Sequence, residues 1–548
     1  AVRTNLYTNF MERTWRSAGE RGVVGLLHPE GHFTDPKAGQ LRRDAYRRLR
    51  RHWQFSNHLQ MFEEIAAVTY FAINIYGPPR PPTFLSMSNL IDVSVLESSL
   101  EHDSSGDVPG IQVPWGSWDL RPHASRIMTV TGRTLTEWAD LFDPPGTSGL
   151  QARLVRPLTK EHLNVLASIA AQPVRMADVG YEWSRGWNEK TAKDDRYIEW
   201  RTEFPGSWKE SIWQGPHFTV ANPFAKQPNE SCRSKGDYNT WDLEELPEQV
   251  IPRTNYQRAC DLGRYEAGLD HWDGEPFTAF WRLVLRKMTQ PGLERSLHAA
   301  LLPPGPALTG AAQCLGGMDS ERDLVCVAGL WSSMPYDYLI KVSGKANIYE
   351  EHVARFPAPL DHPAAPYVLL RTLRLNCLTR DYAPLWGELY EPGFAKDSWT
   401  PPFADWPNLG VSDKAWTMGT PLRSDYERRA ALVEIDALAA LMLGLTADHL
   451  ALMFRAQFPV LRKYEYEMYF DNTGRKIAKD HHAQGVKQQK DDYALLQAYL
   501  RGEDCGDLLD RYEPHPDGDT DPVKGFLRPD REAEMRAAYA EFSRRLDQ

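Results

Sequence analysis

The chain has 548 residues, 42% hydrophobic and 25% charged, an ordinary globular composition whose length suggests about three or four domains. Its 63 Lys and Arg against 74 Asp and Glu leave a formal charge of −11, which excludes a surface coated in base and leaves any polyanion contact to local patches. No apolar run nears the ~20 residues that cross a bilayer, no signal peptide opens the chain, and Cys232, Cys260, Cys314, Cys326, Cys377 and Cys505 form no Cys-x-x-Cys pair, so a cytoplasmic protein with reduced thiols is expected.

Val23-Val24-Gly25-Leu26-Leu27 reads as a buried strand, a short apolar run with β-branched members, ended by His28-Pro29-Glu30-Gly31. From Gln40 the spacing changes. Leu41, Ala45, Leu49 and Trp53 fall at intervals of four and predict a helix whose other faces carry Arg42, Arg43, Arg47, Arg48, Arg50 and Arg51. Two more strands are expected over 55–62 and 69–76, before the breaker Pro78-Pro79-Arg80-Pro81-Pro82. The region 83–158, rich at first in Gly, Ser, Pro and Asp, reads as a connection. A helix is expected over 159–171, and from there to 405 the aromatic-rich, Pro-punctuated chain fits irregular β structure better than a bundle. Helical spacing covers 426–458, broken at Gly444 and restarted with Thr446 as N-cap; 494–500 and 531–546 are the last helices.

Few motifs carry chemistry. Asn222-Pro223-Phe224 lacks the second proline of the rigid Asn-Pro-Pro-aromatic turn that aims two carbonyl groups at an exocyclic amine while a ring stacks on the flipped base. No Gly-x-Gly turn follows a strand, so neither a catalytic nor a cofactor-binding residue is assigned. His481-His482 beside Asp480 lacks further metal ligands at a recognisable spacing, and Asp517, Asp519 and Asp521 imitate a calcium loop whose twelfth position is Arg528 instead of Glu. No Gly-x-Ser-x-Gly elbow is present. The arginines of the predicted helix, Arg42, Arg47 and Arg50 among them, suit phosphate contact or a solvated face. Residues 226–258 gather Lys226, Arg233, Lys235, Arg253, Asn255 and Arg258 among Tyr238, Trp241 and Tyr256, the side-chain types that read base edges and phosphates, though an ordinary polar surface has the same composition.

The order of elements from Gly22 to Gly31, then Leu41-Arg42, Phe62, and Phe71-Ala72-Ile73-Asn74-Ile75-Tyr76-Gly77, resembles the final strands of the gamma-class, TaqI-like adenine DNA methyltransferase domain. Gln214-Gly215-Pro216-His217-Phe218, Asn222-Pro223-Phe224, 251–258, 294–305 and 330–339 resemble the target-recognition region of large restriction-modification and phage-defence members, and 434–438 with 457–461 their helical C-terminal part. The resemblance implies that the catalytic turn and cofactor glycines precede Ala1, that the methyl donor is S-adenosylmethionine bound mainly outside this chain, and that the partners are double-stranded DNA and the N-terminal methyltransferase portion or another defence subunit.

The expected fold is therefore an α/β remnant of a Rossmann-like methyltransferase sheet (1–82), a connecting region (83–158), a mixed β-rich target-recognition domain (159–405) and a helical C-terminal region (406–548). The expected function is DNA recognition for a site-specific adenine methyltransferase, this chain alone being inactive. A non-catalytic DNA specificity subunit is the alternative; 18 Trp and 23 Tyr also admit a carbohydrate-binding reading.

Overall fold

The structure, a computed structural model, describes residues 5–234, 236–289, 292–407, 409–516, 518 and 523–547. Five strands, β1 (Val24–Pro29), β2 (Leu49–Ser56), β3 (Tyr70–Tyr76), β4 (Thr83–Leu90) and β5 (Met128–Thr131), form one mixed sheet in the order β1-β3-β2-β4-β5. The expected sharing of a sheet by 23–27 and 71–75 holds from Val24 on, β1 and β3 being antiparallel with Gly25 opposite Ile75 and Leu27 opposite Ile73, but the strand is not the buried one expected, since Val23 and Leu27 are exposed. β1 is an edge strand. Helix α1 (Leu6–Ser17) lies against it, and α2 (Gly39–Arg48) connects it to β2.

Three expectations here need correction. The helix stops at Arg48, and Leu49 and Trp53 are strand residues of β2. An interval of four is even, so it keeps side chains on one face of a strand as well as of a helix, and the stripe runs across the boundary without a break. The strand expected over 55–62 ends at Ser56, where the buried Asn57 turns the chain by donating to the Phe62 and Ile65 carbonyls and accepting from the Phe62 N–H. Finally, the sheet continues past Pro82 through β4 and β5, so 83–158 is part of this layer. Ser86 and Ser88 disguise β4, yet both are buried with partners, Ser86 Oγ on His52 Nδ1 at 3.0 Å and Ser88 Oγ on the Pro157 carbonyl at 2.5 Å. Helices α3 (Val93–Leu100), α4 (Gly132–Phe142) and α5 (Lys160–Ala170) complete the region, the last as expected.

Residues 182–316 are β-rich, as the composition implied. β6 (Glu182–Ser184), β7 (Ile198–Glu203), β8 (Thr254–Arg258), β9 (Arg282–Arg286), β10 (Ala299–Leu302) and β11 (Ala312–Gly316) are its longer strands, with a four-stranded antiparallel sheet ordered β10-β9-β11-β6 and a β7–β8 pair. That sheet divides two cores. Leu283, Leu285, Leu301 and Leu315 enter one, while Val284, Ala300, Leu302 and Cys314 enter the other. Burial on both faces explains why these strands read as unbroken apolar runs.

From Glu321 onward the structure is helical apart from one antiparallel hairpin, Met468–Phe470 with Lys476–Ala478, which corrects the reading of irregular β structure as far as 405. α6 (Glu321–Trp331), α7 (Met334–Ser343) and α8 (Ala365–Asn376) are buried on nearly every side, so the polar stripe that identifies a surface helix is missing. Gly329 lets α6 touch α8: a Cβ there would lie 2.2 Å from Thr372 Oγ1. The C-terminal helices follow expectation. α9 (Asp425–Met442) starts at a Ser424–Glu427 capping box, Gly444 takes φ +66°, and Thr446 caps α10 (Ala447–Gln457). α11 (Pro459–Tyr466), α12 (Asp492–Arg501) and α13 (Arg531–Leu546) complete the chain, α13 lying along α9. One contiguous core draws on Tyr46, Leu154, Leu283, Leu369, Leu438 and Phe542, so packing runs unbroken across the boundaries expected at 82, 158 and 405. Among the described residues no helix is long and apolar enough to cross a membrane.

Candidate nucleic-acid interface

A cleft of about 1220 Å³ opens between the β-rich middle and the C-terminal helices. One wall carries Lys226, Trp241, Arg286 and His298; the other carries Arg423, Arg428 and the stretch from Arg475 to Gln489. Eleven Lys and Arg line it against six Asp and Glu, the reverse of the balance of the whole chain.

What satisfies these cations decides what the cleft can do. Arg428, on the first turn of α9, donates to the carbonyls of Leu375, Leu422 and Ala221, all at 2.9 Å. Arg286, at the end of β9, donates to the carbonyls of Gly215 at 2.8 Å and Phe218 at 3.1 Å. Arg423 holds the carbonyls of Leu243 and Leu378, each at 2.8 Å. A carbonyl satisfies an N–H without cancelling the charge, so the field of each guanidinium persists into the cleft. Burial lowers Arg286 and Arg428 to about 10, which leaves both charged at neutral pH. His298 adds no charge there, because burial and the neighbouring Arg286 push its imidazole well down; its Nδ1 lies 2.9 Å from Thr219 Oγ1.

The floor differs. Arg429 pairs with Glu465 at 3.0 Å and Glu534 at 2.6 Å, and Arg531 pairs with Glu465 at 2.9 Å and Asp436 at 2.8 Å. These guanidiniums are neutralised and tie α13 to α9 and α11.

Of the nine residues expected to contact DNA, the structure brings only Lys226 to this cleft, beside Trp241. It is exposed on a two-stranded ribbon, Lys226–Pro228 with Tyr238–Thr240, and has no ion pair among the described residues. Arg233 is exposed in the turn that closes the ribbon; Lys235 lies outside the described residues. Arg253 stacks on Phe204 at 4.4 Å and pairs with Glu230 at 3.1 Å. Asn255 cannot read a base where it stands, because it is buried on β8 with its amide donating to Gln214 Oε1 and Tyr238 OH and its oxygen accepting from Thr202 Oγ1. Arg258 donates to the Cys260 carbonyl at 2.6 Å. Near the N-terminus Arg47 is exposed, and Arg50 is half-buried, donating to the carbonyls of Arg48, Leu49 and Pro78. Arg42 is withdrawn from any interface: it is buried, donating to the carbonyls of Gln151, His32 and Asp35.

Asn222-Pro223-Phe224 is a structural turn. Asn222 Oδ1 accepts from the Phe224 N–H at 2.9 Å, and the Phe224 ring is fully buried against Trp213 and Trp241, leaving no face for a base. His481 is exposed beside His482, and no group of three possible metal ligands occurs among the described residues. Asp517, Asp519 and Asp521 lie outside the described residues. Sequence reasoning missed Arg286, Arg423 and Arg428. The run from Arg423 to Arg429 held a compositional signal, but nothing local says which of its arginines lacks a carboxylate.

No family model and no curated protein matches the chain. Two solved structures are similar at a distance. The type IIG restriction endonuclease BpuSI gives a TM-score of 0.27 at 10% identity, over 80% of this chain and 49% of that one. The type IIL restriction-modification enzyme MmeI, in complex with DNA, gives 0.34 at 8% identity, over 84% and 52%. The chain thus spans about half the length of each. At these TM-scores neither carries weight for what the chain does.

Proposed function

We propose that this chain is the DNA-reading part of a site-specific adenine DNA methyltransferase in a restriction-modification or phage-defence system, with β1–β5 forming the end of the methyltransferase sheet. The observation that carries the DNA reading is the set of carbonyl-bound arginines, without an ion-paired carboxylate among the described residues, that line a cleft in an acidic protein. A duplex presents one negative charge per ≈1.7 Å, and a cleft of fixed cations gains sequence-independent affinity from it. The methyltransferase assignment rests on the resemblance and is supported by element order: a strand ending at Pro29, a helix containing Leu41-Arg42, and two further strands.

The acid that follows β1 is not available to S-adenosylmethionine. Glu30, the residue after β1, is buried and held by His52 at 2.6 Å and Arg156 at 3.2 Å, which with Gln54 bring it to about 2 against the opposing effect of burial. The same gap favours a second reading, a non-catalytic specificity subunit, since the one turn resembling a catalytic motif is filled by its own core. Both readings require the cleft to bind DNA. In titrations of the 548-residue chain with random-sequence duplexes at several salt concentrations, binding should weaken steeply with salt, and Lys226→Met should reduce the slope of log Kd against log salt by about 0.9. Failure to bind any duplex at low salt would overturn both.

A further inference from the structure

One acidic segment enters the cleft against its charge. Residues 242–248 carry Asp242, Glu244, Glu245 and Glu248. Their backbone is anchored: Leu246 is buried, Arg423 holds the Leu243 carbonyl, and the Glu248 carbonyl accepts from the Arg380 N–H at 2.8 Å. Their carboxylates meet cations from a distant part of the chain. Lys487 Nζ lies 2.9 Å from Asp242 Oδ2 and 2.8 Å from Glu245 Oε1, and Arg475 Nε lies 3.4 Å from Glu244 Oε2. Both carboxylates raise the affinity of Lys487 for its proton. Lys487 and Arg475 line the cleft, yet each side chain remains over 40% exposed.

Besides Lys226 and the neutralised arginines of its floor, the cleft holds two further kinds of cation. Arg286, Arg423 and Arg428 are fixed by carbonyls and have no carboxylate in ion-pair contact among the described residues. Lys487 and Arg475 are exposed and paired with carboxylates, a class of contact that contributes little to stability and that another anion can exchange. A phosphate oxygen is such an anion, with geometry and charge close to those of the carboxylate it would replace. Neutral ligands cannot make the exchange.

We propose that segment 242–248 is an internal counterion strip which occupies Lys487 and Arg475 and is displaced by the phosphates of a duplex seated on the fixed arginines, making the cleft selective against loosely held polyanions. The inference rests on the DNA reading proposed for the cleft. A phosphate that takes Lys487 or Arg475 leaves a carboxylate that gathers solvent cations, so the net counterion release on binding falls and the salt dependence is shallower than the number of contacts implies.

The test compares the full chain with D242N/E244Q/E245Q, titrated with random-sequence duplex over a range of salt. Freed of their carboxylates, Lys487 and Arg475 should tighten low-salt binding and steepen the slope of log Kd against log salt by about 1.8, or about 0.9 for each cation. Adding K487M and R475M to the triple variant should remove that gain, which separates loss of the strip from a general change in charge or folding. Equal affinity and slope in the wild type and the triple variant, both binding DNA, would overturn the strip alone. Weaker binding by the triple variant, with its thermal unfolding unchanged, would do the same; reduced thermal stability in that variant would show the strip to be a structural clamp and overturn it too. No binding by any of the proteins would overturn the DNA reading and the strip together.

Discussion

Two groups of buried or half-buried arginine stand within the C-terminal half, and they are satisfied in opposite ways. Arg371 is fully buried between Glu434 at 2.5 Å and Asp397 at 2.8 Å, and Arg531 between Glu465 and Asp436; the carboxylates hold both above the ordinary guanidinium range against the cost of burial. Arg428, only a helix turn from the same network, has three carbonyls and no carboxylate in ion-pair contact among the described residues. Both groups make their hydrogen bonds. Only the second leaves a field for a ligand to feel, so counting buried arginines says little about binding until the partner of each is known.

Removing one member of a neutralised pair should give the largest effect on the fold while leaving the number of cations that face a ligand unchanged. Arg371→Met strands Glu434 in the core, and denaturant unfolding should show a loss of about 3–5 kcal/mol. Under conditions where the variant stays folded, its duplex affinity and salt slope should equal those of the wild type; a reduced slope would blur the distinction between the two groups. Arg428→Met should disturb both properties. It orphans carbonyls of Leu375, Leu422 and Ala221 at a cost of about 1–3 kcal/mol, and it should lower the salt slope by about 0.9. An unchanged slope would show that a carbonyl-bound guanidinium here does not reach the ligand.

Acid acts through groups buried neutral rather than charged. His162 and His217 are fully buried, and desolvation lowers them to about 3 and about 4, with His217 also accepting from the Gln214 N–H through Nδ1. Their folded-state pKa values lie below that of an unfolded histidine, so as pH falls below about 6.5 the unfolded chain takes up the proton first. Stability should therefore be lost from about pH 6.5 down towards pH 4, at about 1.4 kcal/mol per pH unit for each histidine. His217→Gln, read by urea unfolding at about pH 7.5 and about pH 5.5, on either side of that onset, should flatten this dependence in part; an unaltered slope would assign the acid sensitivity elsewhere. The smallest effect on stability belongs to the exposed Lys226. Its replacement by Met should leave the unfolding midpoint unchanged and act only on duplex binding, and a shifted midpoint would place Lys226 with the structural cations.

Local chemistry made much of the fold legible. The Ser424–Glu427 box, the turn at Gly444 and the Thr446 cap bound the C-terminal helices because caps satisfy orphan groups within a few residues, and β1 and β3 announce themselves by short β-branched runs. Where the sequence misled, a local signal was ambiguous: intervals of four suited both helix and strand from Leu41 to Trp53, and α6 and α7 are too deeply buried to keep a polar stripe. The candidate site was scarcely legible. Lys226 stood out by composition, and Asn255, chosen on the same ground, proved to be a framework residue. Arg428 meets Ala221 across 207 residues and Lys487 meets Glu245 across 242. Sequence alone determined which positions alternate, cap and turn, because those depend on neighbours three or four residues away. Only the tertiary structure decided which arginines keep an uncancelled charge, because that depends on whether folding delivers a carbonyl or a carboxylate from the far side of the chain.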